Sequence, residues 1–508
     1  MKKETLLIVF FIALKFLLQY ALIAPGYDLH RDEYLHLDQG HHLSWGYLSV
    51  PPLTSWISWL IAALGNGVFW VKFFPALFGA LTIWLVWKLI GVLGGGLFAQ
   101  SLAAVSLIFS ALLRINMLYQ PNSADVFFWA WLYFALIMYF KTDSSKWLWH
   151  AGVAFGLGFL NKYNIAFLAI GLLPALLLTP QRKIFGEKKL YLAAIVALLI
   201  MLPNLIWQSQ NGFPVVHHMS ELAKTQLKKV SRLDFLKEQI LFFIGSILIL
   251  LSAFPALALT RAFRNYRFVF LSFVFTVTLF VLLRAKGYYA IGLYPILFVF
   301  GAIYWEVALR RIRMLKPVML LLPIVVFIPI IDIAFPIKSP HEIALNNKKY
   351  KKLGLLRWED GQEHALPQDF ADMIEWRNMA AIVDQAYATI PNASENTLVL
   401  CDNYGQAGAI NYYTRHKSLH AVSFSADYID WIPKNKRFVN VIAIKDETDD
   451  DSGRSAELPL FGSVEPVGQI TNPLAREYGT KIFVYRNAHA DINKRIFDEA
   501  AEKKRSVN

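Results

Sequence analysis

The chain has 508 residues, of which 56% are hydrophobic and 17% charged, with a mean hydropathy of +0.41. A soluble domain carries about 25% charged residues, so this composition excludes a disordered chain, a coiled coil and an ordinary cytosolic enzyme, and points to a polytopic membrane protein. The formal charge of +13 does not signal nucleic acid: residues 1–335 hold 28 Lys+Arg against 13 Asp+Glu, whereas 336–508 hold 22 against 24. The excess base therefore lies between hydrophobic runs, where the positive-inside bias puts it.

Met1-Lys2-Lys3 precedes an apolar stretch that runs to Ala24. It is about as long as a bilayer span and has no small-x-small cleavage site, so it reads as a retained first span with a cytoplasmic N-terminus. Further runs of spanning length follow, giving eleven expected spans at roughly 5–24, 67–90, 96–114, 124–140, 147–161, 163–179, 190–207, 239–259, 267–284, 288–307 and 317–335. The even-numbered connections then carry most of the Lys and Arg, as at Arg182, Lys183, Lys188 and Lys189. Residues 208–237 are the exception, an outer basic segment suited to anionic headgroups.

The expected organisation is a transmembrane domain over 1–335, with outer loops at 25–66 and 208–237, followed by an extracytoplasmic α/β domain over 336–508. In that domain 367–389 and 404–415 have helical patterns, and Thr397–Cys401, Phe438–Lys445 and Thr480–Arg486 are β-rich. The acidic run Asp446–Asp451 lacks the spacing and glycine of a calcium loop and reads as solvated, and 488–508 reads as a fraying polar end. The single cysteine, Cys401, excludes an intrachain disulfide and any Cys-based metal site.

The first outer loop holds Asp28, Asp32, Glu33 and Asp38 with His30, His36, His41 and His42, just beyond a transmembrane end. A carboxylate at the mouth of a helix bundle is costly unless it faces water or a partner, which makes it a functional candidate. Asp32 and His36 share a helical face, whereas Asp32 and Glu33 point about 100° apart. The adjacent His41 and His42 chelate poorly, so no metal is expected here.

Asp32-Glu33, then Ser44-Trp45-Gly46-Tyr47 and Pro51-Pro52-Leu53, resemble the first loop of bacterial family-39-type glycosyltransferases, which are related to protein O-mannosyltransferases and to the aminoarabinose transferase of lipid A. Gln120-Pro121-Asn122-Ser123-Ala124-Asp125, Gly156 through Lys162-Tyr163, Pro203-Asn204-Leu205-Ile206-Trp207-Gln208 and Ala285-Lys286-Gly287-Tyr288-Tyr289 match further blocks in order. Asn403-Tyr404-Gly405-Gln406-Ala407-Gly408-Ala409 is similar to the tail of one bacterial branch. Each block alone is weak, but their order covers nearly the whole chain.

The resemblance implies a GT-C fold and transfer of one sugar from a polyprenyl-phosphate donor to a glycolipid, glycan or protein hydroxyl, on the periplasmic face of the bacterial inner membrane. It implies that Asp32 is the general base. Physical chemistry agrees, since an attacking hydroxyl needs a proton acceptor and a departing phosphate needs cations. Lys162, Lys286 and Arg114 are the candidate cations. Glu33, His36, Asn122, Asp125, Tyr163, Asn204, Gln208, Tyr288, Tyr289 and Tyr404 are candidate substrate contacts, and Trp45 and Tyr47 are placed to stack on sugar. Three departures from the family pattern are Asn122 where an aspartate is common, Ser49-Val50 before the proline pair, and Ser44 before Trp45. They leave the base assignment in place and bear on the acceptor. No cofactor is expected. The alternative reading is a transporter or flippase of lipid-linked glycans, against which stand the missing internal repeat and the large outer tail.

Overall fold

The computed structural model describes residues 3–225, 227–446 and 457–507. It contains two compact units. The first comprises 1–22, 44–54 and 69–335, and the second comprises 23–43, 55–68 and 336–508.

The first unit is helical. Among the described residues seven helices are long and apolar enough to cross a membrane: Lys3–Ala21, Val68–Val92, Asn122–Thr142, Lys188–Gln210, Arg261–Leu282, Gly287–Ala308 and Leu315–Ala334. Two bent pairs raise the number to as many as nine, one kinked by 109° at 177–180 and the other by 63° at 241–244. Asn122–Thr142 is the buried centre, with Trp129 and Tyr133 almost fully enclosed. Without a hydrophobic drive between helices in lipid, small residues must let backbones approach. At Gly152 a Cβ would lie 2.4 Å from the Ala193 carbonyl oxygen, and at Gly301 only 2.0 Å from that of Ile249. These contacts join Lys146–Asn161 to Lys188–Gln210 and Tyr294–Ala308 to Ile247–Leu259.

Some of the expected spans differ in outline. The run 96–114 is helical only over Leu97–Ile108; Ser110 then caps a separate short helix, Ala111–Ile115, its hydroxyl accepting from the Leu112 N–H. The helix Lys146–Asn161 stops because Lys162 turns to extended backbone, φ −159° and ψ 129°. Lys162 is thus the C-cap: its N–H still donates to the Gly158 carbonyl at 2.9 Å, and the helix ends there.

The second unit carries a five-stranded sheet in the order β2-β1-β3-β5-β4. β1 (Thr397–Cys401) runs parallel to β2 (Ala421–Ser423) and β3 (Asn440–Lys445), while β4 (Phe461–Gln469) and β5 (Lys481–Ala488) are antiparallel additions. The helix Tyr404–Tyr413 crosses from β1 to β2. β2 and β4 give little signal in the sequence, because one has three residues and the other is broken by Pro466 and Gly468, where the register shifts. The C-terminal stretch does not fray: Ile492–Val507 is a helix, since Ile492, Ile496 and Ala500 bury one face and Asn493 ties it to the Lys436 carbonyl and the Phe438 N–H. Residues 447–451 of the acidic run lie outside the described residues.

Candidate active site

The carboxylates of the first loop sit on and beside the helix Arg31–Gln39 in the second unit. Its N-terminus is closed reciprocally. His30 Nδ1 accepts from the Asp32 N–H at 3.3 Å, and Glu33 reaches back to accept the His30 N–H at 2.8 Å, so two orphan donors are satisfied. His30 is held from its other side by Asp372, 3.5 Å away, and Arg476 binds the same carboxyl at 3.1 Å.

The four acids are thereby sorted. Glu33 is fully buried in the cap. Asp28 is clamped by Arg377 at 2.8 Å and is 10% exposed. Asp38, also buried, accepts from the Asn411 amide at 2.7 Å and the Tyr428 hydroxyl at 2.8 Å. Asp32 keeps 37% of its side chain exposed, with Oδ1 accepting from the Tyr404 hydroxyl at 2.7 Å. Arg31 stacks over the Tyr404 ring at 4.5 Å, and its Nε lies 4.0 Å from Asp32.

The electrostatics follow this sorting. Burial pushes the Asp38 carboxyl up to about 6 despite its two hydrogen bonds, and burial likewise raises Asp28. For Asp32, burial pushes upward too, but His30, Arg31, the Tyr404 hydroxyl and His36 together outweigh it and hold the carboxyl below its usual range. Burial, and then the charge of Asp32, raises the Tyr404 phenol, so it stays a donor. Burial lowers His36, whose Nδ1 faces Gln39 Oε1 at 3.2 Å.

Tyr404 begins the helix Tyr404–Tyr413, which lies against Arg31–Gln39. Asn403 caps that helix by accepting the Gln406 N–H, and Gln406 is fixed in turn by Glu477 and Asp446, each at 2.6 Å. Gly408 allows the approach, because a Cβ there would come within 2.7 Å of Tyr34 Cβ and 3.1 Å of the Tyr34 carbonyl carbon. Tyr34 itself packs among Trp376, Tyr412 and Tyr413.

The helical unit holds a separate polar group around Lys162. The ammonium donates to Asn122 Oδ1 at 2.7 Å and lies 5.1 and 4.7 Å from the ring centres of Tyr288 and Tyr289. Asp125, one turn beyond Asn122, accepts from Trp129 Nε1 and Asn164 Nδ2, both at 2.9 Å, and Asn164 also donates to the Tyr289 carbonyl. Beside it Tyr163 donates to Asn204 Oδ1 at 3.1 Å and accepts from Gln208 at 2.9 Å. Asn204 reaches the Trp45 carbonyl at 2.7 Å. Lys286 is close enough for its charge to act on Lys162 and His218. Arg114 lies on the short helix Ala111–Ile115. Of the two aromatic residues expected to stack on sugar, Trp45 is 49% exposed, whereas Tyr47 is buried with its hydroxyl accepting from the Ser44 N–H.

The sequence reading reached Lys162-Tyr163 but passed over Asn164, which follows directly and braces Asp125 to the 287–293 turn. It placed His30 among the loop histidines without its capping role, and did not single out Asp372 or Arg476. The signal for His30 was present, since Glu33 stands three residues after it in capping-box spacing; Asp372 and Arg476 gave none. Among the described residues no group of three or more His, Cys, Asp or Glu side chains is arranged to hold a metal ion.

With this geometry in hand, comparison with known proteins defines the class. The chain is a multi-pass membrane protein with the GT-C fold and a small C-terminal sheet domain, as the order of its motifs implies. Its backbone is similar to the crystal structure of ArnT from Cupriavidus metallidurans bound to undecaprenyl phosphate, with a TM-score of 0.65 and 15% identity over 94% of this chain and 98% of that one. The apo structure of the same protein gives a TM-score of 0.61. Residues 49–207 match the family described as dolichyl-phosphate-mannose-protein mannosyltransferase. Lipid A galacturonosyltransferase RgtD of Rhizobium johnstonii is 26% identical over 201 residues, 39% of this chain. The chain spans 42% of the length of that relative.

Proposed function

We propose that the protein is a glycosyltransferase that moves one sugar from a polyprenyl-phosphate donor to an acceptor hydroxyl on the periplasmic face of the bacterial inner membrane. The N-terminus is cytoplasmic and the C-terminal domain periplasmic in this reading. Asp32 takes the acceptor proton as the hydroxyl oxygen forms its bond to the anomeric carbon. The bond from that carbon to the phosphate oxygen breaks, and the phosphate leaves with the electron pair. Attack opposite the leaving group inverts the anomeric centre. Lys162, steadied by Asn122 and the faces of Tyr288 and Tyr289, meets the charge that grows on the departing phosphate. Lys286 and Arg114 add positive charge, and Trp45 offers a ring for a sugar to lie against.

One observation carries the reading: of four carboxylates on one short segment, Asp28, Glu33 and Asp38 are nearly or fully buried and engaged by partners, whereas Asp32 keeps about a third of its side chain exposed and its carboxyl is held below the usual range. The names of the similar proteins support the donor class. The acceptor is a glycolipid, a glycan or a protein hydroxyl.

The test is Asp32→Asn in the full-length protein with a labelled polyprenyl-phosphate sugar. The amide oxygen still accepts the Tyr404 hydroxyl, so the fold and donor binding are expected to persist. Turnover is expected to fall about a hundred- to ten-thousand-fold, the range of a lost general base. Turnover near that of the parent would refute the assignment; loss of donor binding together with turnover would favour a transport role.

A further inference from the structure

We infer that residues 345–357 form a docking surface for the anionic phospholipid headgroups of the membrane leaflet at which Leu315–Ala334 ends. The argument begins with how the second unit receives the chain. Residues 23–24 come one residue after the apolar helix Lys3–Ala21, and 336–338 one residue after Leu315–Ala334. Inside the second unit these two segments pair, with the Ala24 N–H donating to the Pro336 carbonyl at 2.8 Å and the Tyr27 hydroxyl to the Lys338 carbonyl at 2.9 Å. This corner of the unit is therefore within a few residues of hydrocarbon along both chain segments.

The segment that follows is pinned from within by Ile343, Tyr350 and Leu356, each 3% exposed or less. The same segment exposes Leu345 at 71%, Leu353 at 56% and Leu355 at 41%, interleaved in sequence with exposed Lys348, Lys351, Lys352 and Arg357. Residues 336–357 contain six basic residues and one acid, Glu342, which is engaged in capping Ser339. Lys351 is paired with Glu363 at 2.7 Å, and Lys349 rests over the Tyr350 ring. Leucines that project among lysines on a soluble face are poorly placed in water. At a headgroup layer each finds its medium, with the leucines entering the acyl boundary and the ammonium groups meeting phosphate.

The experiment uses the full chain in lipid nanodiscs with an environment-sensitive fluorophore at Leu353→Cys; Cys401 is 2% exposed and stays unlabelled. In discs containing phosphatidylglycerol the emission is expected to shift to the blue and to be quenched by spin-labelled lipid. Both effects are expected to be weaker in pure phosphatidylcholine, to fade as salt is raised, and to be lost in K348E/K352E. The milder K348Q/K352Q guards against a folding defect and is expected to give an intermediate signal. Equal emission in the two lipids would overturn the inference. So would a shift that survives K348E/K352E, or one produced equally by inorganic phosphate in detergent micelles.

Discussion

Tyr404→Phe removes one oxygen atom and isolates the electrostatic role of the second unit in the proposed chemistry. The lost contact is a 2.7 Å hydrogen bond from a phenol to Asp32 Oδ1. A hydrogen bond to a charged group contributes about 1.5–3 kcal/mol. Because more than a third of the Asp32 side chain is exposed, water replaces part of that contact, so the low end applies and is discounted further for screening. The stabilisation lost by the carboxylate is therefore below about 1.5 kcal/mol, and the carboxyl is expected to rise toward its ordinary range. The sign is fixed by the native shift. The Asp32 carboxyl lies below its usual range, so the basic form is present at neutral pH and is lost as pH falls through the folded pKa. In the variant that loss begins at higher pH. The assay is kcat/KM against pH, from about pH 4 to about pH 8, with a lipid-linked donor and any acceptor that supports turnover. The acid limb should move upward while the neutral plateau changes little. An unmoved limb with a lower plateau and a raised KM would refute the reasoning, and would make Tyr404 a substrate contact instead of a partner of the base.

Lys162→Met keeps the length of the side chain and removes its charge; donor affinity is expected to fall about ten- to a hundredfold, the equivalent of a hydrogen bond to a charged group, with acceptor KM little changed. Equal donor Kd in variant and parent would remove Lys162 from the donor site. Gly408→Ala drives a methyl group against Tyr34, so the helix bearing Asp32 must shift; kcat is expected to drop by about tenfold or more with donor Kd unaffected, and an unchanged kcat would contradict the role of this contact. Asp38→Asn should retain turnover, because its amide oxygen can still accept from Asn411 and Tyr428. The native carboxyl is raised to about 6, so its protonated form is the one the fold prefers and stability is lost as pH rises through that value; the amide should gain thermal stability relative to the parent above about pH 6 and not below about pH 4. A collapse of turnover like that of Asp32→Asn would undo the sorting of the four acids.

The membrane half was legible because one signal dominates it. Uninterrupted apolar runs must be helices in hydrocarbon, where every backbone polar group needs an internal partner. The breaks were less legible: nothing in Ile108-Phe109-Ser110-Ala111 is strongly unfavourable to a helix, and the cap at Ser110 exists because the chain turns there. In the second unit β1, β3 and β5 announced themselves as β-branched runs, while β2 and β4 are strands through their neighbours. At the site, the loop acids could be singled out as a set, and the resemblance put Asp32 first among them, but the partners that give each its environment could not be read. What separates Asp32 from Asp28 and Asp38 is contact with Tyr404, Arg377, Asn411 and Tyr428, residues more than 340 positions away. Long-range partners of this kind leave no local pattern.

The same contacts explain why a membrane-embedded chain carries an α/β domain at all. Arg31–Gln39 is nine residues long, far below the length at which a helix is stable alone in water. Seven of its nine residues are buried, two of them as Asp38 and Glu33 with polar groups that demand partners. Those partners, and the Tyr404 hydroxyl, come from residues in the same chain-spanning unit as the five-stranded sheet. Without them the segment could neither hold its helix nor bury its carboxylates, and Asp32 would lose both its orientation and its low pKa. On the proposed mechanism the C-terminal domain is thus a structural part of the catalytic base, and disruption of its fold should abolish turnover even where the transmembrane helices remain intact.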